Sequence, residues 1–95
     1  MAFGEAVRLT RITENISLSE MARRLGVSAN YWSRVEREIE RPPRDDLIEK
    51  SAEILGIRVD DLFIQAGRLP TDMQQDLANV VRMYRRVHPK TTRKS

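Results

Sequence analysis

The sequence predicts an all-α protein of five short helices in one domain, followed by a sixth helix. Three observations carry this. No stretch sustains the period-2 alternation of a strand, and β-branched residues are scattered. Apolar residues recur at helical spacing in six short segments. Between those segments stand residues that start or stop helices: Ser17, Gly26, Ser28, the Pro42-Pro43 pair, Gly56 and Gly67.

The first helix is expected over about residues 3–14, with Phe3 and Val7 on one face and Asn15 closing it. Ser17 and Glu20 then read as a capping box, which places a helix from Leu18 to Leu25 with Met21, Ala22 and Leu25 inward. Gly26 ends it. Ser28 can cap a third helix, running from Ala29 to about Glu38 with Trp32 and Val35 inward. "RPPR" breaks the chain, because proline cannot donate and its ring blocks a helix interior. A fourth helix is expected over 44–55. Asp45 and Asp46 sit in its first turn, where the helix dipole favours acids, and Leu47, Ile48, Ala52 and Leu55 pack inward. The fifth spans about 59–66. Thr71 and Gln74 read as a second capping box, opening a last helix to about residue 88. Its apolar stripe is Met73, Leu77, Val80, Val81, Tyr84 and Val87. The domain is therefore expected over 1–68, a dimerisation or packing element over 69–88, and a basic disordered tail over 89–95.

Composition excludes several classes of function. With 95 residues the core is small, and the absence of cysteine excludes disulfides and thiolate chemistry. No apolar run approaches the ~20 residues that span a membrane. The opening "MAFGEAVRLT" lacks the apolar region of a signal peptide, so a cytoplasmic protein with no membrane partner is expected. His88 is the lone histidine, precedes a proline and has no ligand-spaced neighbours, which predicts no metal site. Asp45-Asp46 and Asp60-Asp61 are neighbours in sequence, so they do not face one another as a catalytic pair. No phosphate-binding glycine loop is present either; no cofactor is expected, and no enzyme.

The net charge of +3 hides an asymmetry. Of the 17 Lys/Arg, six lie within residues 82–95, leaving 11 in the rest of the chain against all 14 acids. Six more arginines fall between Arg23 and Arg44. Local basic patches of this kind are the footprint of phosphate binding.

One stretch connects these facts: "ARRLGVSANYWSRVERE", residues 22–38. Two helices joined by a turn containing glycine form a helix-turn-helix. With Trp32 and Val35 inward, the third helix turns Ala29, Asn30, Tyr31, Ser33, Arg34 and Arg37 outward. Asparagine can pair bidentately with adenine and arginine with guanine, while a methyl group can touch thymine. Ser28, at the helix N-terminus, can offer hydroxyl and N–H groups to a phosphate.

The joint spacing resembles the XRE family, the Cro and phage-repressor type of helix-turn-helix protein, over about residues 3–67. The matching residues are Met21-Ala22, Gly26-Val27-Ser28, Ser33-Arg34-Val35-Glu36, Pro43 and Ala52-Glu53-Ile54-Leu55-Gly56. The resemblance implies a five-helix repressor-like domain whose third helix reads double-stranded DNA. By position it implies base reading by Ala29, Asn30 and Arg34, with Ser33 beside them. Phosphate or groove contacts fall to Ser28, Tyr31, Arg37, Arg41 and Arg44, and Arg11 pairs with Glu36. Three positions depart from the family. Leu18 stands where glutamine often opens the second helix. Arg37-Glu38 replaces the usual glycine after the third, which predicts a longer helix. Glu38 and Glu40 add negative charge near the expected DNA backbone.

The expected function is a sequence-specific DNA-binding transcriptional regulator, a repressor acting as a homodimer on an inverted-repeat operator. The alternative is an antitoxin-like protein that binds a protein partner and regulates its own promoter.

Overall fold

The computed structural model describes residues 2–89. Among them lie seven helices and no strand: α1 (Phe3–Thr13), α2 (Leu18–Leu25), α3 (Ala29–Glu36), α4 (Asp45–Leu55), α5 (Val59–Gln65), α6 (Thr71–Gln74) and α7 (Leu77–Val87).

The first five helices share one core. Phe3 and Val7 of α1 meet Met21, Ala22 and Leu25 of α2, Trp32 and Val35 of α3, and Leu47, Ile48, Ala52 and Leu55 of α4. Leu62 and Phe63 close it from α5. Trp32 is wholly buried and takes Phe3 edge-on, with ring centroids 6.5 Å apart at 83°.

These helices end in a common way. Asn15, Gly26, Glu38, Gly56 and Gly67 each adopt a left-handed backbone. The N–H of the next residue then bonds the carbonyl five positions back: Ile16 to Arg11, Val27 to Ala22, Ile39 to Arg34, Ile57 to Ala52 and Arg68 to Phe63, all at 2.9–3.0 Å. At Gly26 (φ +75) this turn sends α3 across α2. Glycine carries no Cβ penalty there.

Glu38 is the unusual member. Its φ of +66 stops α3 at Glu36, two residues short of the expected end. Its side chain compensates in part. The Glu38 carboxylate accepts the Glu5 N–H at 3.1 Å, in the first turn of α1, where Ala2 at the N-cap position supplies no side-chain cap. Gly4 makes this approach possible. A Cβ there would stand 2.8 Å from both the Glu36 carbonyl oxygen and Glu38 Oε2, and would collide with the Val35 carbonyl.

The expected last helix is broken. Gln75 and Asp76 separate α6 from α7, and Asp76 leaves helical geometry (φ −131, ψ 48). Thr71 and Gln74 form no capping box. Thr71 donates to Glu49 at 2.7 Å, and the Gln74 amide donates to Asp45 at 3.2 Å and to the Leu69 carbonyl at 2.6 Å. These bonds hold α6 beside α4, while aspartate favours a helix start over an interior, so the chain restarts in a new direction. The earlier capping box is half formed: Ser17 accepts the Glu20 N–H at 3.0 Å, but the Glu20 carboxylate turns to Arg23 and Arg24.

Arg68, which the sequence reading passed over, ties the end of the core to the proline turn. Its guanidinium donates to the carbonyls of Pro43 and Pro42 and to Asp45. Beyond it α7 extends from the core, giving overall dimensions of 55 × 23 × 21 Å. Of the expected basic tail, all but Pro89 lies outside the described residues. Among the described residues no helix is long and apolar enough to cross a membrane.

Candidate nucleic-acid interface

The core decides which side of α3 is free. Trp32, Val35 and Glu36 are buried, so the opposite positions Asn30, Ser33, Arg34 and Arg37 share one face at spacings of three and four. Asn30 and Arg37 are exposed, and Ser33 and Arg34 are half-exposed. Ser28 accepts the Tyr31 N–H at 3.0 Å and so caps α3. Its carbonyl accepts from Trp32, which leaves the helix N-terminus at the surface.

Two expected contact residues serve the core as well. Ala29 and Tyr31 are half-buried and pack against it, and the Tyr31 ring lies 6.5 Å from Trp32. Helical phase alone assigned both to the outer face, because it does not register how deeply α3 sits between α1 and α2. Arg41 and Arg44 are exposed at either end of the proline turn. Arg44 meets Asp46 at 2.7 Å, and both side chains are exposed to solvent.

Arg11 and Glu36 come together beneath this face. Arg11 Nε and Nη2 donate to the two Glu36 oxygens at 2.7 and 2.9 Å, and Nη1 donates to the Ile16 carbonyl at 2.8 Å. The Glu36 side chain is 3% exposed and that of Arg11 11%. The hydrogen bond to Glu36 raises the Arg11 guanidinium above its usual value, against the opposing effect of burial. The pair bolts α3 to α1 and thereby sets the pitch of the outer face.

Several charges around the face have partners within the chain. Glu20 accepts from Arg23 at 2.6 and 3.0 Å and from Arg24 at 2.7 Å, and these bonds hold its carboxyl down to about 2. Arg37 Nε donates to the Ser33 hydroxyl at 3.2 Å. Arg34 Nε donates to Glu40 at 3.2 Å. The sequence assigns Glu40 no particular partner: it stands there as negative charge near the expected DNA backbone and as one of the acids interleaved with the arginines. The signal for this contact lies in the early end of α3, which curls residues 37–40 back over Arg34. Among the described residues no group of three or more His, Cys, Asp or Glu could hold a metal ion.

The apolar stripe of the last helix stands open. Met73 and Val80 are half-buried, whereas Leu77, Val81, Tyr84 and Val87 are exposed, the last at 71%. Leu9 and Ile12, which a helix folded back on its own domain would have covered, are exposed too. Leu9 lines a groove of about 390 Å³ together with Ala6, Ile57 and Ile64 and the polar Thr10, Asp61 and Gln65.

Comparison with known proteins places this geometry. Residues 2–62 match the family described as a helix-turn-helix domain. An uncharacterized HTH-type transcriptional regulator of Mycobacterium tuberculosis is 36% identical over 73 residues, which are 76% of this chain and 51% of that protein. The chain thus spans about half the length of this curated relative. Among solved structures, that of SinR, the master regulator for biofilm formation, in complex with DNA aligns with a TM-score of 0.58 and 32% identity, covering 63% of this chain and 95% of that one. The clp gene regulator ClgR of Corynebacterium glutamicum aligns at 0.60 and 28%, covering 93% of this chain and 92% of its own.

Proposed function

The chain belongs to the helix-turn-helix domain family, and from that premise we propose that it is a sequence-specific double-stranded DNA-binding transcriptional regulator, acting as a homodimeric repressor on an inverted-repeat operator. One observation carries the DNA-binding part. Asn30, Ser33, Arg34 and Arg37 share the outer face of a helix whose inner face is locked by Trp32 and by the Arg11–Glu36 pair. A rigid helix presenting an amide, a hydroxyl and guanidinium groups suits the floor of a major groove. Ala29 adds a methyl group at the edge of that face. Ser28, Tyr31, Arg41 and Arg44 flank it, where phosphates would run. The complex of SinR with DNA supports this reading, as do relatives named as transcriptional regulators. Action on DNA in turn implies the cytoplasm. The repressor part rests on the resemblance to the Cro and phage-repressor type.

The homodimer is supported by the open stripe of α7. A single domain of this size reads few base pairs, and helix-turn-helix proteins gain affinity by spanning two half-sites about 10 bp apart. A protein partner on the same stripe is the competing occupant.

Selection from a randomised duplex pool tests the function. The chain should enrich one palindromic site, with affinity falling steeply as salt rises. Asn30→Ala should lose about 1–3 kcal/mol at that site and relax preference at one base pair. An absence of salt-dependent binding to any duplex would leave the fold as an interaction module without a DNA role.

A further inference from the structure

We infer that Glu40 is a positioning residue for base reading: it holds the Arg34 guanidinium by Nε and so presents Nη1 and Nη2 as the fork that meets a guanine. The inference rests on the reading of α3 as the DNA-reading helix.

The geometry is specific. A guanidinium carries five N–H donors in a fixed plane and can offer a pair of acceptors either its two Nη groups or Nε with one Nη. Glu40 Oε2 takes Nε at 3.2 Å, which leaves the end-on pair. Among the described residues neither Nη of Arg34 has a protein acceptor. The guanine edge in the major groove presents O6 and N7 as two adjacent acceptors, which match that pair.

Glu40 is itself fixed by the residue it holds. The N–H groups of Ile39 and Glu40 both bond the Arg34 carbonyl, at 2.9 and 3.1 Å. This closure follows from the left-handed turn at Glu38 (φ +66). Backbone and carboxylate therefore grip Arg34 at both ends of its side chain. A free arginine would have to surrender its rotamer freedom on binding, whereas this one has already lost much of it.

The same carboxylate repels phosphates. Removing its charge should then move affinity and specificity in opposite directions. A residue that merely shaped the loop would lower both when replaced, and one that merely repelled DNA would raise affinity and leave base preference alone.

The test selects sites from a randomised duplex pool with the whole chain and three variants, each checked for native Trp32 emission. The parent should select a guanine at one position per half-site, and Arg34→Ala should lose that preference. Glu40→Ala, which removes the acceptor together with the charge, should weaken the same preference by about 3- to 10-fold, part of the worth of one bidentate pair. Other positions should hold, and binding to unrelated duplex should strengthen. Glu38→Gln removes an equal charge two residues away while keeping an acceptor for the Glu5 N–H. It should strengthen unrelated binding with base preference intact. If Glu40→Ala leaves the guanine preference unchanged, or loosens every position alike, the inference is overturned while the DNA-reading helix stands. If the parent selects no site, or Arg34→Ala keeps the guanine, the reading of α3 fails and the inference falls with it.

Discussion

Arg11 and Glu36 lie 25 residues apart in the chain and meet through two hydrogen bonds, 2.7 and 2.9 Å long, beneath the outer face of α3. Removing one member strands the other, and a buried unpaired charge is costly. Arg11→Met should destabilise the domain by about 3–5 kcal/mol in urea denaturation. Glu36→Gln added to Arg11→Met should recover part of that loss, since it removes the stranded charge. If the double variant is no more stable than the single one, the destabilisation comes from lost packing and the pair is not what fixes α3.

The junction of α1 and α3 makes a second case. Glu38→Ala deletes the carboxylate that accepts the Glu5 N–H, which should cost about 1 kcal/mol, as for loss of a helix cap. Glu38→Gly deletes it too, but relieves a left-handed position that costs a residue with a Cβ about 1–2 kcal/mol. Thermal melts should therefore rank Gly above Ala by about 1 kcal/mol. Equal stabilities would mean that the backbone strain at Glu38 is negligible. Gly4→Ala, which drives a Cβ into the α3 backbone, should cost about 1–3 kcal/mol by overpacking.

Trp32 contributes volume above all, because its indole N–H has no protein acceptor among the described residues. Trp32→Phe should therefore lose far less stability than Trp32→Ala, for which about 3–5 kcal/mol is expected from the cavity. The emission of native Trp32 should be blue-shifted and should move red cooperatively on unfolding. Two variants of similar stability would point to an unseen acceptor for the indole.

The stripe on α7 gives the test of assembly. Val80→Asp with Tyr84→Lys places two charges on it without changing the net charge. Sedimentation should show a dimeric parent and a monomeric variant. Operator affinity should drop by ~10²–10⁴, the avidity gained by linking two half-sites. A variant that remains dimeric would move the interface to the groove lined by Leu9, Ile57 and Ile64.

What could be read from sequence follows from how local each signal is. Phe3, Met21, Trp32, Leu47 and Leu55 announce their burial by helical period, and Gly26, Gly56 and Gly67 mark their helix ends by lacking a Cβ. Glu38 carries no such mark. Its left-handed turn is stabilised by Glu5, 33 residues away, and so α3 was expected to run too long. The same long range hid Arg68, whose partners lie on the proline turn, and Glu40, whose partner Arg34 is reached only after the chain curls back. The break at Asp76 went unseen for a related reason. The apolar stripe runs through it without interruption, while the polar bonds that hold α6 to α4 depend on tertiary placement.

The repeated helix closures have a kinetic consequence. In each, a hydrogen bond spans five residues, so the reversals at Asn15, Gly26, Glu38, Gly56 and Gly67 can form before distant parts of the chain meet. Loops this short carry a small closure entropy. Chains dominated by local contacts cross their barriers in microseconds to milliseconds. The contacts left for the rate-limiting step are those with wide sequence separation, above all the docking of α1 onto α3 through Gly4 and Arg11. Variants at these two positions should accordingly slow refolding, whereas those on α7 should leave the rate of core formation untouched.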